Sequence, residues 1–152
     1  WPWLQIPPRT EHVIQRMCAD GYRPILAHPE RYQGMNLDID LAGAWRSSGA
    51  CLQVNHGSFV GRYGPEARDV AVELLARGWV DYLSSDFHAR RHLGIYLRDV
   101  SAFLQEHGGR EQLQLLTVSN PGRVFSEEAP LPVPGLMIQQ PFWSRVKSIF
   151  KG

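Results

Sequence analysis

Ser84-Ser85-Asp86-Phe87-His88 places a carboxylate and an imidazole two positions apart, directly after the apolar run 80–83. A second apolar run, 24–27, is followed at once by His28-Pro29-Glu30-Arg31. Both runs read as buried strands, so both sets of polar side chains fall just past a strand end. In parallel α/β architectures the carboxyl ends of strands are where chemistry is assembled. Imidazole and carboxylate together suit manganese, iron or zinc, which makes His28, Asp86 and His88 candidate metal ligands. Arg31 presents a planar fork of donors that matches a phosphate better than a lysine does. A metal lowers the pKa of bound water, and an arginine neutralises charge developing on phosphoryl oxygens. A phosphoester hydrolase follows as the reaction class, with Arg31 and Asp86 as candidate catalytic residues.

Other residues near these strand ends have two readings each. Asn55 ends the run 51–54 and either hydrogen-bonds a ligand or ties down a neighbouring loop, while Gly57-Ser58 suggests a tight turn. Arg62 is either a second phosphate contact or an arginine packed along the next helix. His92 lies close enough to the rim to touch substrate, or is a solvated loop histidine. Glu30 and Arg31 can equally form an ordinary surface pair, worth roughly 0–1 kcal/mol. His12 and His107 read as solvent-facing. Other phosphate chemistries lack their motifs. Six positions after Cys18 and Cys51 stand Pro24 and Gly57, not the arginine of a cysteine-based phosphate loop. Neither a G-x-S-x-G elbow nor a Walker loop is present.

The elements that must position these residues alternate. Strands are expected at 3–6, 24–27, 51–54 and 80–83. Between them run helices with apolar residues at helical spacing: Val13, Ile14, Met17 and Cys18 behind a Thr10 cap; Leu41, Ala44 and Trp45 behind Asp38 or Asp40; and Ala67, Val70, Ala71, Leu74 and Leu75 after Pro65. Leu97 to Leu104, a short stretch at 113–116 and a turn opening at Asn120-Pro121 continue the helical pattern. Four strand–helix units argue for a parallel α/β sheet with right-handed crossovers. A closed eight-stranded barrel needs about 250 residues, so this chain supplies either part of a barrel or a small open sheet.

The 152 residues are 43% hydrophobic and 20% charged, which fits one soluble domain with a real core. A net charge of +1 gives no bulk case for nucleic acid. The cysteines form no C-x-x-C pattern and are expected as free buried thiols in a reducing compartment. No apolar run approaches the ~18 residues of a spanning helix. The domain is expected over 1–126, a proline-rich linker over 127–141 and a basic amphipathic segment over 142–152. The last puts Phe142, Trp143, Val146, Ile149 and Phe150 on one face. Residues 142–151 either lie on an anionic membrane surface or dock on protein.

Ala27-His28-Pro29-Glu30-Arg31-Tyr32, Leu52-Gln53-Val54-Asn55 leading to Gly57-Ser58, and Ser85-Asp86-Phe87-His88 together resemble the PHP (polymerase and histidinol phosphatase) superfamily. Within it they are most similar to the CpsB/YwqE-type tyrosine-protein phosphatases of bacterial capsular and exopolysaccharide systems. The order and spacing agree from about Trp3 to Phe125, Asn120-Pro121 included. The resemblance implies the C-terminal part of a distorted (β/α)7 barrel with a cluster of up to three metals, commonly manganese. It implies His28, Asp86 and His88 as ligands, Arg31 at the substrate phosphate, and a metal-bound hydroxide attacking phosphotyrosine. The implied partner is a membrane-associated bacterial tyrosine autokinase, with a cytoplasmic, membrane-proximal location. Two departures stand out. The family's opening His-x-His pair has no counterpart, and Gln5 occupies the place of a family glutamate. The chain is therefore expected to be part of a longer protein, or a truncated relative, with about half of a metal site. A non-catalytic binding module and a small-molecule phosphatase of the histidinol-phosphate type are the alternatives.

Overall fold

The computed structural model describes residues 4–88 and 94–138. Its order is α1 (Thr10–Ala19), β1 (Ile25–Ala27), a 3-10 turn (Pro29–Arg31), α2 (Asp40–Ser47), β2 (Cys51–Asn55), α3 (His56–Phe59), α4 (Pro65–Ala76) and β3 (Tyr82–Ser84). Then come α5 (Leu97–Glu106), α6 (Arg110–Gln114), a π-helical turn (Leu115–Ser119) and α7 (Asn120–Phe125).

The strands pair in parallel in the order β1-β2-β3. Ala27 lies opposite Gln53, and Asn55 opposite Ser84. Parallel pairing brings all three carboxyl ends to one edge. The central strand β2 has Leu52 and Val54 fully buried, as expected of a parallel strand covered on both faces. Trp45 from α2, Leu74 and Leu75 from α4, and Val100, Leu104 and Leu116 from the later helices close the core around it.

The chain is thus α/β with three parallel strands, where the sequence pattern suggests four. Residues 4–6 join no sheet among the described residues. Leu4 has φ 56, which breaks an extended run, and the two prolines that follow carry no N–H to donate. The Leu4 carbonyl instead accepts from the Gln33 N–H at 2.9 Å. Thr10 is the first residue of α1 and not its cap; its hydroxyl donates back to the Pro7 carbonyl at 2.7 Å. Gly57-Ser58 forms not a bare turn but the single helical turn of α3. His107 is half-buried, with its ring against Phe103. His12 is exposed as expected. Trp3, His92 and the segment 142–151 lie outside the described residues.

Two polar ties brace the core. Arg46 pairs with buried Asp81, whose carboxylate also accepts the Leu52 N–H at 2.7 Å. Asn120 is fully buried and binds three backbone groups: its amide donates to the carbonyls of Asp81 and Leu131, each at 3.0 Å, and its oxygen accepts the Leu131 N–H at 2.8 Å. The described part of the proline-rich stretch, to residue 138, is extended and lies against the domain. Val133 and Leu136 are buried, and the Leu136 N–H donates to the Leu75 carbonyl at 3.2 Å. Gly135 sits so close to the Ala76 carbonyl that a Cβ would collide with it.

Both cysteines are free; Cys51 is buried and Cys18 half-buried. Burial, helped by nearby Asp81, pushes the Cys51 thiol up to about 11. In the native protein Cys51 is expected to resist iodoacetamide at pH 8 and to label as the pH approaches 11 or on unfolding, which mass spectrometry of the alkylated peptides reads directly. Asn120→Ala should lower stability by about 2–3 kcal/mol, because it strands buried backbone groups; urea unfolding measures it.

Candidate functional site at the strand ends

The β1–β2 ladder runs one residue past β1, where the His28 N–H donates to the Gln53 carbonyl at 2.7 Å. His28 then turns with φ 44 into the left-handed region and opens the Pro29–Arg31 turn. Its ring meets Tyr32 edge-on at 5.7 Å, and Nδ1 is buried with no hydrogen-bond partner among the described residues. Burial, then the nearby Arg31 charge, lowers its pKa, so the imidazole is neutral with a lone pair available near pH 7. Tyr32 donates its hydroxyl to the Ala27 carbonyl at 2.9 Å and braces the turn from below.

Asp86 follows β3 and also has positive φ, 51. Two serine hydroxyls shape this turn, Ser84 accepting the Asp86 N–H at 3.2 Å and Ser85 the Phe87 N–H at 3.3 Å. Oδ2 of Asp86 receives two donors at 3.3 Å each, Nη1 of Arg31 and Nδ2 of Asn55. Arg31 also lies over the Tyr63 ring, 4.2 Å from its centroid. His88 is exposed; its Nδ1 sits 2.8 Å from its neighbour's backbone oxygen at Asp86 and 3.5 Å from Oδ1.

The structure therefore brings Arg31, Asn55 and Asp86 into one group, with His28 within the electrostatic reach of both charges. Arg62 is not part of it. That side chain is exposed, and its guanidinium stands 6.0 Å from the Tyr63 ring. An open cavity of about 420 Å3 adjoins the group, bordered by Glu30, Arg31 and Tyr63.

Two residues escaped the sequence reading. Glu30 is not a surface partner of Arg31: it is 3% exposed, and its Oε1 accepts both the Asn55 N–H at 3.0 Å and the Ser58 hydroxyl at 2.6 Å. Oε2 is buried without a partner, and burial raises the carboxyl to about 7. His56, one position past β2, is buried, holds the Ile95 carbonyl at 3.0 Å through Nδ1 and leaves Nε2 without a partner. Its place directly after a predicted strand was the available signal.

His28, Asp86 and His88 have the donor chemistry of a manganese, iron or zinc site. Among the described residues, however, no group of three or more His, Cys, Asp or Glu side chains is arranged to hold a metal ion. Asp86 is already engaged by Arg31 and Asn55. These residues do not make a metal centre on their own.

Parallel strands that discharge imidazole, carboxylate and guanidinium at one edge define an α/β protein with a polar rim at the strand ends. The chain belongs to the capsular polysaccharide synthesis family CpsB/CapC, which matches residues 8–126. It is 24% identical over 117 residues to the tyrosine-protein phosphatase YwqE of Bacillus subtilis, covering 77% of this chain and 46% of that protein. It is 28% identical over 89 residues to CapC of Staphylococcus aureus, covering 59% and 35%. The chain thus spans less than half the length of these curated relatives. One chain from the crystal structures of YwqE from Bacillus subtilis and CpsB from Streptococcus pneumoniae, described as unique metal-dependent tyrosine phosphatases, matches this fold over part of its length. The match has a TM-score of 0.78 at 21% identity, over 90% of this chain and 56% of the solved one. The resemblance read from the motifs holds for the CpsB/CapC family, and of the expected fold the α/β arrangement of parallel strands holds as a match to part of the solved structure. Among the described residues no helix is long and apolar enough to cross a membrane.

Ser58 is fully buried. Ser58→Ala should cost about 1–2 kcal/mol by removing one of the two donors to the buried Glu30 oxygen, checked by denaturant midpoints at constant slope.

Proposed function

We propose that this chain forms the strand-end rim of a metal-dependent phosphoester hydrolase that acts on protein phosphotyrosine in capsular or exopolysaccharide synthesis. Family membership supports the process, and the description of YwqE and CpsB as metal-dependent tyrosine phosphatases supports the reaction class. The observation that carries the reading is the convergence of Arg31 Nη1 and Asn55 Nδ2 on Asp86 Oδ2, beside the unpartnered Nδ1 of His28.

Arg31 has five N–H donors, and among the described residues its side chain makes one hydrogen bond, to Asp86. The remaining donors suit a phosphate dianion. An arriving phosphate competes with Asp86 for the guanidinium and leaves that carboxylate less neutralised. Asn55 adds an uncharged donor, and Tyr63 keeps the guanidinium flat. His28, Asp86 and His88 are a partial donor set, with manganese the first ion to test and iron or zinc next. In this reading the substrate is a tyrosyl phosphoprotein, a membrane-associated tyrosine autokinase being the first partner to test.

One observation favours a second reading, a non-catalytic binding module: Asp86 is tied to Arg31, and the described residues hold no group of three metal-competent side chains. Metal analysis separates the two. Stoichiometric manganese, iron or zinc supports the enzyme, whereas metal-free protein at millimolar metal supports the module.

The decisive assay is hydrolysis of a tyrosyl phosphopeptide with manganese, with and without chelator. It should be run on this chain and on a polypeptide extending it toward the length of its relatives. Turnover should stop with chelator, and Asp86→Asn should lower kcat/KM by about 100-fold or more, with Arg31→Lys lowering it less. Turnover indifferent to chelator contradicts metal dependence; a fully active Asp86→Asn removes that residue from the site.

A further inference from the structure

Glu30 is a carboxyl group with almost no exposure, placed between two residues of the candidate site, His28 and Arg31. Buried carboxylates are costly unless something engages them. Here one oxygen takes two donors, and both come from the neighbouring strand end: the backbone N–H of Asn55 and the hydroxyl of Ser58. Glu30 thereby ties the turn after β1 to the turn after β2. Arg31 lies on the first turn and Asn55 closes β2 just before the second, and both donate to the same oxygen of Asp86 on a third turn. The spacing of the two donors on Asp86 is thus set by a bond made beneath them.

We infer that Glu30 is a positioning residue: through Asn55 N–H and Ser58 Oγ it holds Arg31 and Asn55 as a matched donor pair on Asp86. It touches none of the reacting atoms itself. The acceptor oxygen is what the arrangement needs, and a glutamine supplies the same oxygen at the same reach. Aspartate is one methylene shorter and cannot span to both donors from this turn. The charge is secondary to the geometry.

The inference rests on the phosphoester reading for its catalytic meaning, so the test has one readout that does not depend on turnover. The full chain is labelled with nitrogen-15, and the side-chain order of Arg31 Nε–H and of the Asn55 amide is measured by NMR relaxation. Glu30→Gln should keep both groups ordered. Glu30→Asp and Glu30→Ala should loosen both, in protein whose remaining spectrum stays folded. Should Glu30→Ala fail to fold, Glu30→Asp carries the comparison. Ordered Arg31 and Asn55 side chains in folded Glu30→Asp overturn the inference.

The second readout is a double-mutant cycle in kcat/KM on a tyrosyl phosphopeptide. Glu30→Ala combined with Arg31→Ala should lose no more than the larger single loss, within about threefold, because both remove one arrangement. Losses that multiply mean Glu30 acts independently of Arg31, which overturns it. A wild-type chain without turnover refutes the functional reading alone, and the NMR comparison still decides the role of Glu30.

Discussion

Parallel register is the constraint on which everything else depends. Three strands of three to five residues have little surface of their own. Pairing them head-to-head places Ala27, Asn55 and Ser84 at one edge, and each chain then leaves the sheet into a polar turn. The final ladder bond, from the His28 N–H, fixes where the first turn begins. From there the side chains have little choice. Glu30 points back into the protein and Arg31 points across to the third turn. The two crossover helices contribute by burying Trp45, Leu74 and Leu75 against the central strand. The first of them also carries Arg46, which pairs with Asp81 just ahead of β3, and Asp81 in turn accepts the Leu52 N–H and ties the approach to β3 onto β2.

Polar groups that are buried here fall into two kinds. Asp81 Oδ2 and the Asn120 amide are engaged by backbone and side-chain partners and act as internal ties. His28, Glu30 and His56 each keep one buried atom unanswered, and all three cluster at the strand ends. Buried unsatisfied atoms are few in folded proteins and costly. Three such atoms at the strand ends fall in the same region as the candidate site.

Much of this was legible in the chain itself. Short β-branched and aliphatic runs ending in His-Pro-Glu-Arg and Asp-Phe-His marked two strand ends correctly, and parallel order followed from helical stretches between them. The expected first strand failed for a local reason: Leu-Gln-Ile has the right alternation, but the pattern cannot register a left-handed leucine. Glu30 was misread because carboxylates are so seldom buried that a surface position is the default. Its role needs Asn55 and Ser58, which are 25 and 28 residues away. Proline content suggested a linker over 127–141 and said nothing about which surface its described part, to residue 138, follows. The contacts of Val133, Leu136 and Asn120 are tertiary and leave no local trace.

His28 and Asp86 both occupy left-handed backbone, φ 44 and φ 51. Histidine and aspartate are among the few residues with a side chain that tolerate this region, and asparagine and glycine tolerate it better still. Drift at either position toward asparagine or glycine would therefore relax the backbone while erasing the donor. The relaxed backbone offsets part of what is lost with the Asp86 and His28 contacts, so in this lineage a preserved scaffold does not by itself imply preserved chemistry.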